Sequence, residues 1–161
     1  MINNLRSMTS VYIVRNDEIL LLYRSGSRVL NDLWIGSAGG HFNNDELDKP
    51  YDCIVRELKE ELNISLEDIK NLTLRYITLR KIGNEVRQNY YYFAEINEIL
   101  EKTIESNEGN LKWFNINKLP LDEMPITSKE VLKHYVKNRK MSKNIYCGSV
   151  NDNNINFSLM N

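Results

Sequence analysis

The sequence predicts an α+β fold in which a mixed β-sheet is held between helices. Segments rich in strand-forming residues occur before, between and after two amphipathic stretches, without the regular strand–helix alternation of a doubly wound fold. At 161 residues and 42% hydrophobic content the chain suits one globular domain, residues 1–161, large enough to bury a core, with residues 141–161 as a C-terminal β-hairpin appendage.

The runs "TSVYIV" and "ILLLYR", separated by the polar turn "RNDE", read as an opening pair of strands. "WIGSAGGHF" follows, its three glycines suited to sharp turns or a close approach. After the polar loop "NNDELDK", Pro50 is placed for the first turn of a helix that runs to Leu62. Tyr51, Ile54, Val55, Leu58 and Leu62 form its apolar arc, while Glu57, Glu60 and Glu61 gather opposite with Cys53 beside them. Asn63 suits a left-handed cap. "LTLRYITLRKI" and "EVRQNYYYFAEI" read as strands joined through "GN", "LKWFNI" as another, and Ser128 to Lys140 as a second helix. At the end, "KNIYCGSV" and "INFSLM" flank an asparagine-rich turn as the hairpin.

Twenty-one basic against twenty-two acidic residues leave a net charge of −1, without the basic excess of a protein that grips a nucleic acid polymer. Free nucleotides remain compatible with it. There is no membrane-spanning or secretory apolar run, and Cys53 and Cys147 lie far apart without a CxxC pair. Free thiols in a reduced cytoplasmic setting are the expectation. No feature of the sequence specifies an oligomeric state.

The stretch "RELKEELNI" is the most informative. Offsets of three and four residues stack Glu57, Glu60 and Glu61 on one helix face, where like charges cost roughly 0.2–0.5 kcal/mol per pair. A solvated acidic face is the plain explanation. The alternative is a hard divalent cation, which prefers oxygen ligands and turns that repulsion into binding.

The longer segment "GGHFNNDELDKPYDCIVRELKEELNI" resembles the Nudix box, a glycine, five residues, a glutamate and then an Arg-Glu-apolar-x-Glu-Glu-x-Gly-apolar core. Gly40 and Glu46 have the first spacing, and Arg56, Glu57, Leu58, Glu60, Glu61 and Ile64 match the core. Two features depart from the pattern: nine residues instead of seven separate Glu46 from Arg56, and Asn63 stands where glycine is usual. The insertion leaves both Glu46 and Asp48 as candidates for the acidic position that pairs with Arg56. The likeness extends over residues 8 to 140 and implies an α/β/α sandwich.

It further implies a hydrolase that uses Mg²⁺, or Mn²⁺, to cleave a nucleoside diphosphate linked to another group. Glu57, Glu60 and Glu61 would hold the metal with help from the Gly40 carbonyl. Glu60 or Glu108 would orient or deprotonate water, with Glu105 the alternative to Glu108 in the loop, and Arg56 would brace the site. Arg24 is either a contact to substrate phosphate or a charged strand end. Trp34 either stacks on a base or anchors its loop, Trp113 reads as core, and one of Tyr90, Tyr91 and Tyr92 could line a pocket among residues that otherwise pack. His41 and His134 lack metal-ligand spacing.

The proline and tyrosine that accompany ADP-ribose and dinucleoside polyphosphate specificity in this family are missing from their usual places. "ESNEGNLKWFNINKLPLDEMP" instead resembles MutT-type enzymes acting on oxidised purine nucleoside triphosphates, although Thr127 and Ser128 stand where the animal enzymes carry adjacent aspartates. The resemblance therefore implies a small-molecule substrate, a (d)NTP or oxidised (d)NTP converted to monophosphate and pyrophosphate. A nucleotide sugar or ADP-ribose hydrolase, a non-catalytic nucleotide sensor, and an interaction domain with an acidic helix are the competing readings.

Overall fold

The computed structural model describes residues 4–25, 32–97, 104–141, 143–151 and 154–160. Among the described residues eight strands and two α-helices are formed: β1 (Asn4–Arg15), β2 (Glu18–Arg24), β3 (Leu33–Ile35), α1 (Pro50–Leu62), β4 (Ile69–Ile82), β5 (Glu85–Ile96), β6 (Asn110–Asn115), α2 (Ile126–Asn138), β7 (Ile145–Asn151) and β8 (Asn154–Met160). All strands join one mixed sheet in the order β3-β2-β1-β5-β4-β7-β8, with β6 paired to β2. The β1–β5 and β4–β7 pairs are parallel and the others antiparallel.

Alternation along the strands supplies two cores. On one face, Tyr12, Ile19, Leu21, Tyr76, Tyr91 and Phe93 pack against Val131, Leu132 and Tyr135 of α2. On the other, Val11, Ile13, Leu20, Tyr92 and Ala94 pack against Ile54, Leu58 and Leu62 of α1. Successive residues of β1 thus point to opposite layers, as a period of two requires. The result is an α/β/α sandwich with a mixed sheet between the helices, as the sequence predicts.

Three details differ from the sequence-based expectation. The first strand reaches back to Asn4 because β5 offers it an unbroken parallel partner from Glu85 to Glu95. Helix α2 begins at Ile126, two residues early, since Pro125 already has the φ of −55° that leads into a helix, and it ends at Asn138. On α1, Tyr51 is exposed and meets Tyr92 edge-on, whereas Cys53 and Glu57 are buried. The buried arc is therefore rotated toward the acidic side of the helix.

Residues 145–151 and 154–160 form the C-terminal hairpin, which adds to the sheet through β7 on β4. Its turn at 152–153 lies outside the described residues. Phe157 packs inward against Tyr76 and His134. No helix among the described residues is long and apolar enough to cross a membrane.

Candidate active site

The glycine-bearing loop after β3 is pinned along β1. Ser37 accepts the Ile13 amide proton on its hydroxyl (2.9 Å) and donates to the Leu20 carbonyl (2.6 Å), while the Val11 and Thr9 amides donate to the carbonyls of Ala38 and Gly40, both at 2.9 Å. The Gly40 carbonyl keeps one lone pair beyond that bond. At Gly39 φ is +153°, and an added Cβ would lie 2.2 Å from the Thr9 carbonyl oxygen, so only glycine fits without strain. At Gly40 the neighbour is a side chain: a Cβ would lie 2.2 Å from Glu57 Oε1.

Pro50 starts α1, and Asn63 ends it with φ 52° and ψ 32°, the left-handed cap expected there. Arg56 organises the helix's outer side. Its Nε and Nη2 donate to the two oxygens of Glu46 (2.8 and 2.9 Å), its Nη1 to Glu57 (2.7 Å) and Glu60 (2.9 Å), and its Nη2 also to the His41 carbonyl (3.1 Å). All five guanidinium protons are used. Glu46, not Asp48, is thus the partner of Arg56. The hydrogen bonds from Arg56 hold the Glu46 carboxyl down at about 2, and in turn the guanidinium is held above its ordinary range.

Beside this network lies a cleft of about 480 Å³. Its walls include Glu57 and Glu61 from α1, Gly39 and Gly40 from the loop, Arg24 from β2, and Glu108. Thr127 and Ser128, at the start of α2, and Tyr91 of β5 also line it. Glu61 accepts the Gly39 amide proton (3.0 Å), yet burial pushes its carboxyl up to about 7. Burial also raises the Glu57 carboxyl above its ordinary value, despite the ion pair with Arg56. Two desolvated carboxylates therefore face a shared space with less positive charge around them than their ionised forms need.

The remaining candidates separate. Glu60 turns away from the cleft to Arg56, with its side chain 58% exposed. Arg24 and Glu108 both line the cleft and pair with each other at 3.0 Å, each partly exposed. Glu105 is exposed and is not among the cleft residues. Trp34 is likewise absent from the cleft wall; it packs on Tyr23 and edge-on against Phe114, which is the anchoring arrangement. Trp113 packs against the α1-side core beneath the Arg15 guanidinium. His41 accepts from Arg6 Nε, and His134 bonds the Tyr76 hydroxyl.

For a divalent cation the donor set is a partial fit. Among the described residues no group of three ligating side chains is assembled, and Arg56 holds both Glu57 and Glu60. Glu57 and Glu61 together with the Gly40 carbonyl nevertheless supply hard oxygen donors where a cation would relieve the burial cost. The cleft also holds Arg6, Arg80, Arg87, Thr78 and Asn89, none of which the sequence singles out. They come from three strands whose register no local pattern reveals.

The NUDIX domain family model matches residues 5–135, most of the chain. The chain belongs to the NUDIX family. Solved structures with the same fold include a NUDIX hydrolase from Nitrosomonas europaea, at a TM-score of 0.70 and 16% identity over 93% of this chain and 81% of that one. A MutT protein from Bacillus halodurans aligns at a TM-score of 0.64 and 22% identity, covering 96% and 97% of the two chains. The E. coli dihydroneopterin triphosphate pyrophosphohydrolase aligns at 0.62 and 18%, covering 83% and 95%. No curated protein matches the sequence. In this NUDIX chain Glu46, Glu57 and Glu60 converge on Arg56, and Glu61 meets the Gly39 amide beside Gly40.

Proposed function

We propose that this NUDIX domain is a metal-dependent hydrolase that cleaves the anhydride of a nucleoside diphosphate derivative, with a (d)NTP or oxidised (d)NTP as the favoured substrate. One observation carries the reading: Glu57 and Glu61 are desolvated carboxylates turned into a cleft beside the Gly39–Gly40 turn. Such an arrangement is costly in a purely structural role and useful beside a cation.

Glu57, Glu61 and the Gly40 carbonyl would hold Mg²⁺ or Mn²⁺, with Glu60 available on release from Arg56. When bound, the metal would screen the diphosphate charge and acidify water. Arg56 braces Glu57 from behind and, through Glu46, fixes the loop to the helix. Arg24 would meet substrate phosphate once its exposed pair with Glu108 opens, a pair worth only about 0–1 kcal/mol. That same opening frees Glu108. Of the two candidate bases, Glu108 lines the cleft while Glu60 faces Arg56, which favours Glu108 for orienting or deprotonating water.

The triphosphate preference rests on the MutT-like segment that ends at Pro125, while Thr127 and Ser128, which line the cleft where the animal enzymes carry adjacent aspartates, leave the base unassigned. The test is a panel of (d)NTPs, 8-oxo forms, nucleotide sugars, ADP-ribose and dinucleoside polyphosphates, with and without Mg²⁺, assayed beside Glu57→Gln. Metal-dependent release of monophosphate and pyrophosphate, lost in the folded variant, is the expected result. Wild-type turnover by Glu57→Gln would reject the assignment, and turnover only of other diphosphates would move the substrate class.

A further inference from the structure

Arg6 on β1, Arg87 on β5 and Arg80 on β4 are direct register partners: Arg6 opposite Arg87, and Arg87 opposite Arg80. Laterally paired residues share a face of the sheet, and neighbouring strands lie about 4.7–4.9 Å apart. Three guanidinium-bearing side chains therefore form one row across three strands. All three are half-buried and all line the cleft that holds Glu57 and Glu61.

Like charges placed directly opposite one another destabilise a sheet. Compensation within the row is incomplete. Glu85 pairs with Arg87 (2.7 Å), and Arg6 donates to the His41 ring. His41 itself is kept below its ordinary pKa, first by burial and then by Arg6 and Arg87. Among the described residues Arg80 has no carboxylate partner.

A second observation points into the same space. One step deeper along the strands, Met8, Asn89 and Thr78 form the next row, and all three line the cleft. The Asn89 amide donates to the Tyr91 hydroxyl (3.2 Å), but its Oδ1 is buried without a hydrogen-bond partner.

We infer that the Arg6–Arg87–Arg80 row is an anion subsite, which binds a second phosphate or carboxylate carried by the substrate apart from the diphosphate that is cleaved. This deepens the hydrolase reading and rests on it for the identity of the bound molecule as substrate. The row recognises negative charge by charge-assisted hydrogen bonds.

The probe is inorganic phosphate, titrated into the chelator-treated protein while the arginine side-chain NMR signals are followed. Because Arg24 lines the same cleft, the residue-resolved signals separate binding at the row from binding at Arg24. Saturable shifts at Arg6, Arg80 and Arg87, with Arg15 unmoved, are expected. Arg80→Gln should weaken binding about tenfold, the loss of one charge-assisted bond, and Arg80→Lys should weaken it less. Both variants replace a half-buried strand-end side chain, and thermal melts compare their folding with wild type.

Absence of saturable shifts at the row in the wild-type protein would overturn the subsite, whatever the substrate panel shows. Equal affinity in wild type and folded Arg80→Gln would do the same. If phosphate binds at the row and no diphosphate is cleaved, the anion site stands and the hydrolase reading falls.

Discussion

Arg56 and Glu46 meet through two parallel hydrogen bonds, Nε to Oε1 at 2.8 Å and Nη2 to Oε2 at 2.9 Å, and this fork ties the loop ahead of α1 to the helix itself. A lysine carries the charge but not the fork, and it cannot also reach Glu57, Glu60 and the His41 carbonyl. Arg56→Lys is expected to cost about 1.5–3 kcal/mol in denaturant melts, and Glu46→Gln a similar amount. The double variant should cost less than the sum, because each single change already removes the fork. Strict additivity would show that the two residues act independently.

Gly39 and Gly40 are adjacent, yet alanine should affect them differently. At Gly39 the added carbon meets backbone at a φ of +153°, so Gly39→Ala should lower stability by about 2 kcal/mol or more. At Gly40 the obstruction is the far end of the Glu57 side chain, which can move aside. Gly40→Ala should melt within about 1 kcal/mol of wild type yet lose on the order of 10²-fold in turnover, because displacing Glu57, a proposed metal ligand, is enough to do so. Thermal melts paired with the hydrolysis assay separate the two outcomes.

In the metal-free protein burial pushes the Glu61 carboxyl up to about 7, from an ordinary 4.5. The folded state therefore holds this proton more tightly than the unfolded state. Its contribution to stability is fully present below the ordinary carboxylate range and is lost as pH rises through about 7. Glu57 shifts in the same direction. Glu46 is depressed to about 2, so its contribution is present above 4.5 and is lost only in strong acid. Urea melts in chelator should show stability falling between pH 5 and pH 8 as Glu61 loses its proton, with a smaller fall in Glu61→Gln. An undiminished fall in that variant would contradict the assignment.

Asn63 occupies a left-handed position with φ 52° and accepts a hydrogen bond from Lys59 (2.6 Å) on an exposed surface. Glycine adopts this backbone without strain, while alanine can offer neither that freedom nor the amide. Asn63→Gly should lie within about 1 kcal/mol of wild type, and Asn63→Ala should be the less stable of the two by about 1 kcal/mol. Calorimetric Tm values rank them.

The helix carrying the acidic residues was legible because its chemistry lies within a few turns of chain. Spacing placed Glu57, Glu60 and Glu61 on one side, and the Asn63 cap and Pro50 start followed from the same few residues. Spacing could not say how Arg56 would divide them: it draws Glu60 outward while Glu57 and Glu61 stay at the cleft. The choice between Glu46 and Asp48 depended on the path of an irregular loop, which has no periodicity to read. Arg6, Arg80 and Arg87 were invisible for a stronger reason. They are remote in sequence or separated by a turn, and only the parallel register of β1 on β5 and the antiparallel register of β4 on β5 makes them neighbours. Trp34 looked equally suited to a base or to a core because a tryptophan near a glycine-bearing loop serves both; its rings of Tyr23 and Phe114 are distant in the chain.

Because β1 sends Val11 and Ile13 into one layer and Tyr12 and Val14 into the other, the two helical layers share a single wall. Neither layer can melt while the other keeps its packing, since releasing that wall empties both. Breathing of the molecule is thereby confined to its margins, and the amides of β1 and β5 in their shared interior become the last to exchange with solvent, opening only when the entire chain does.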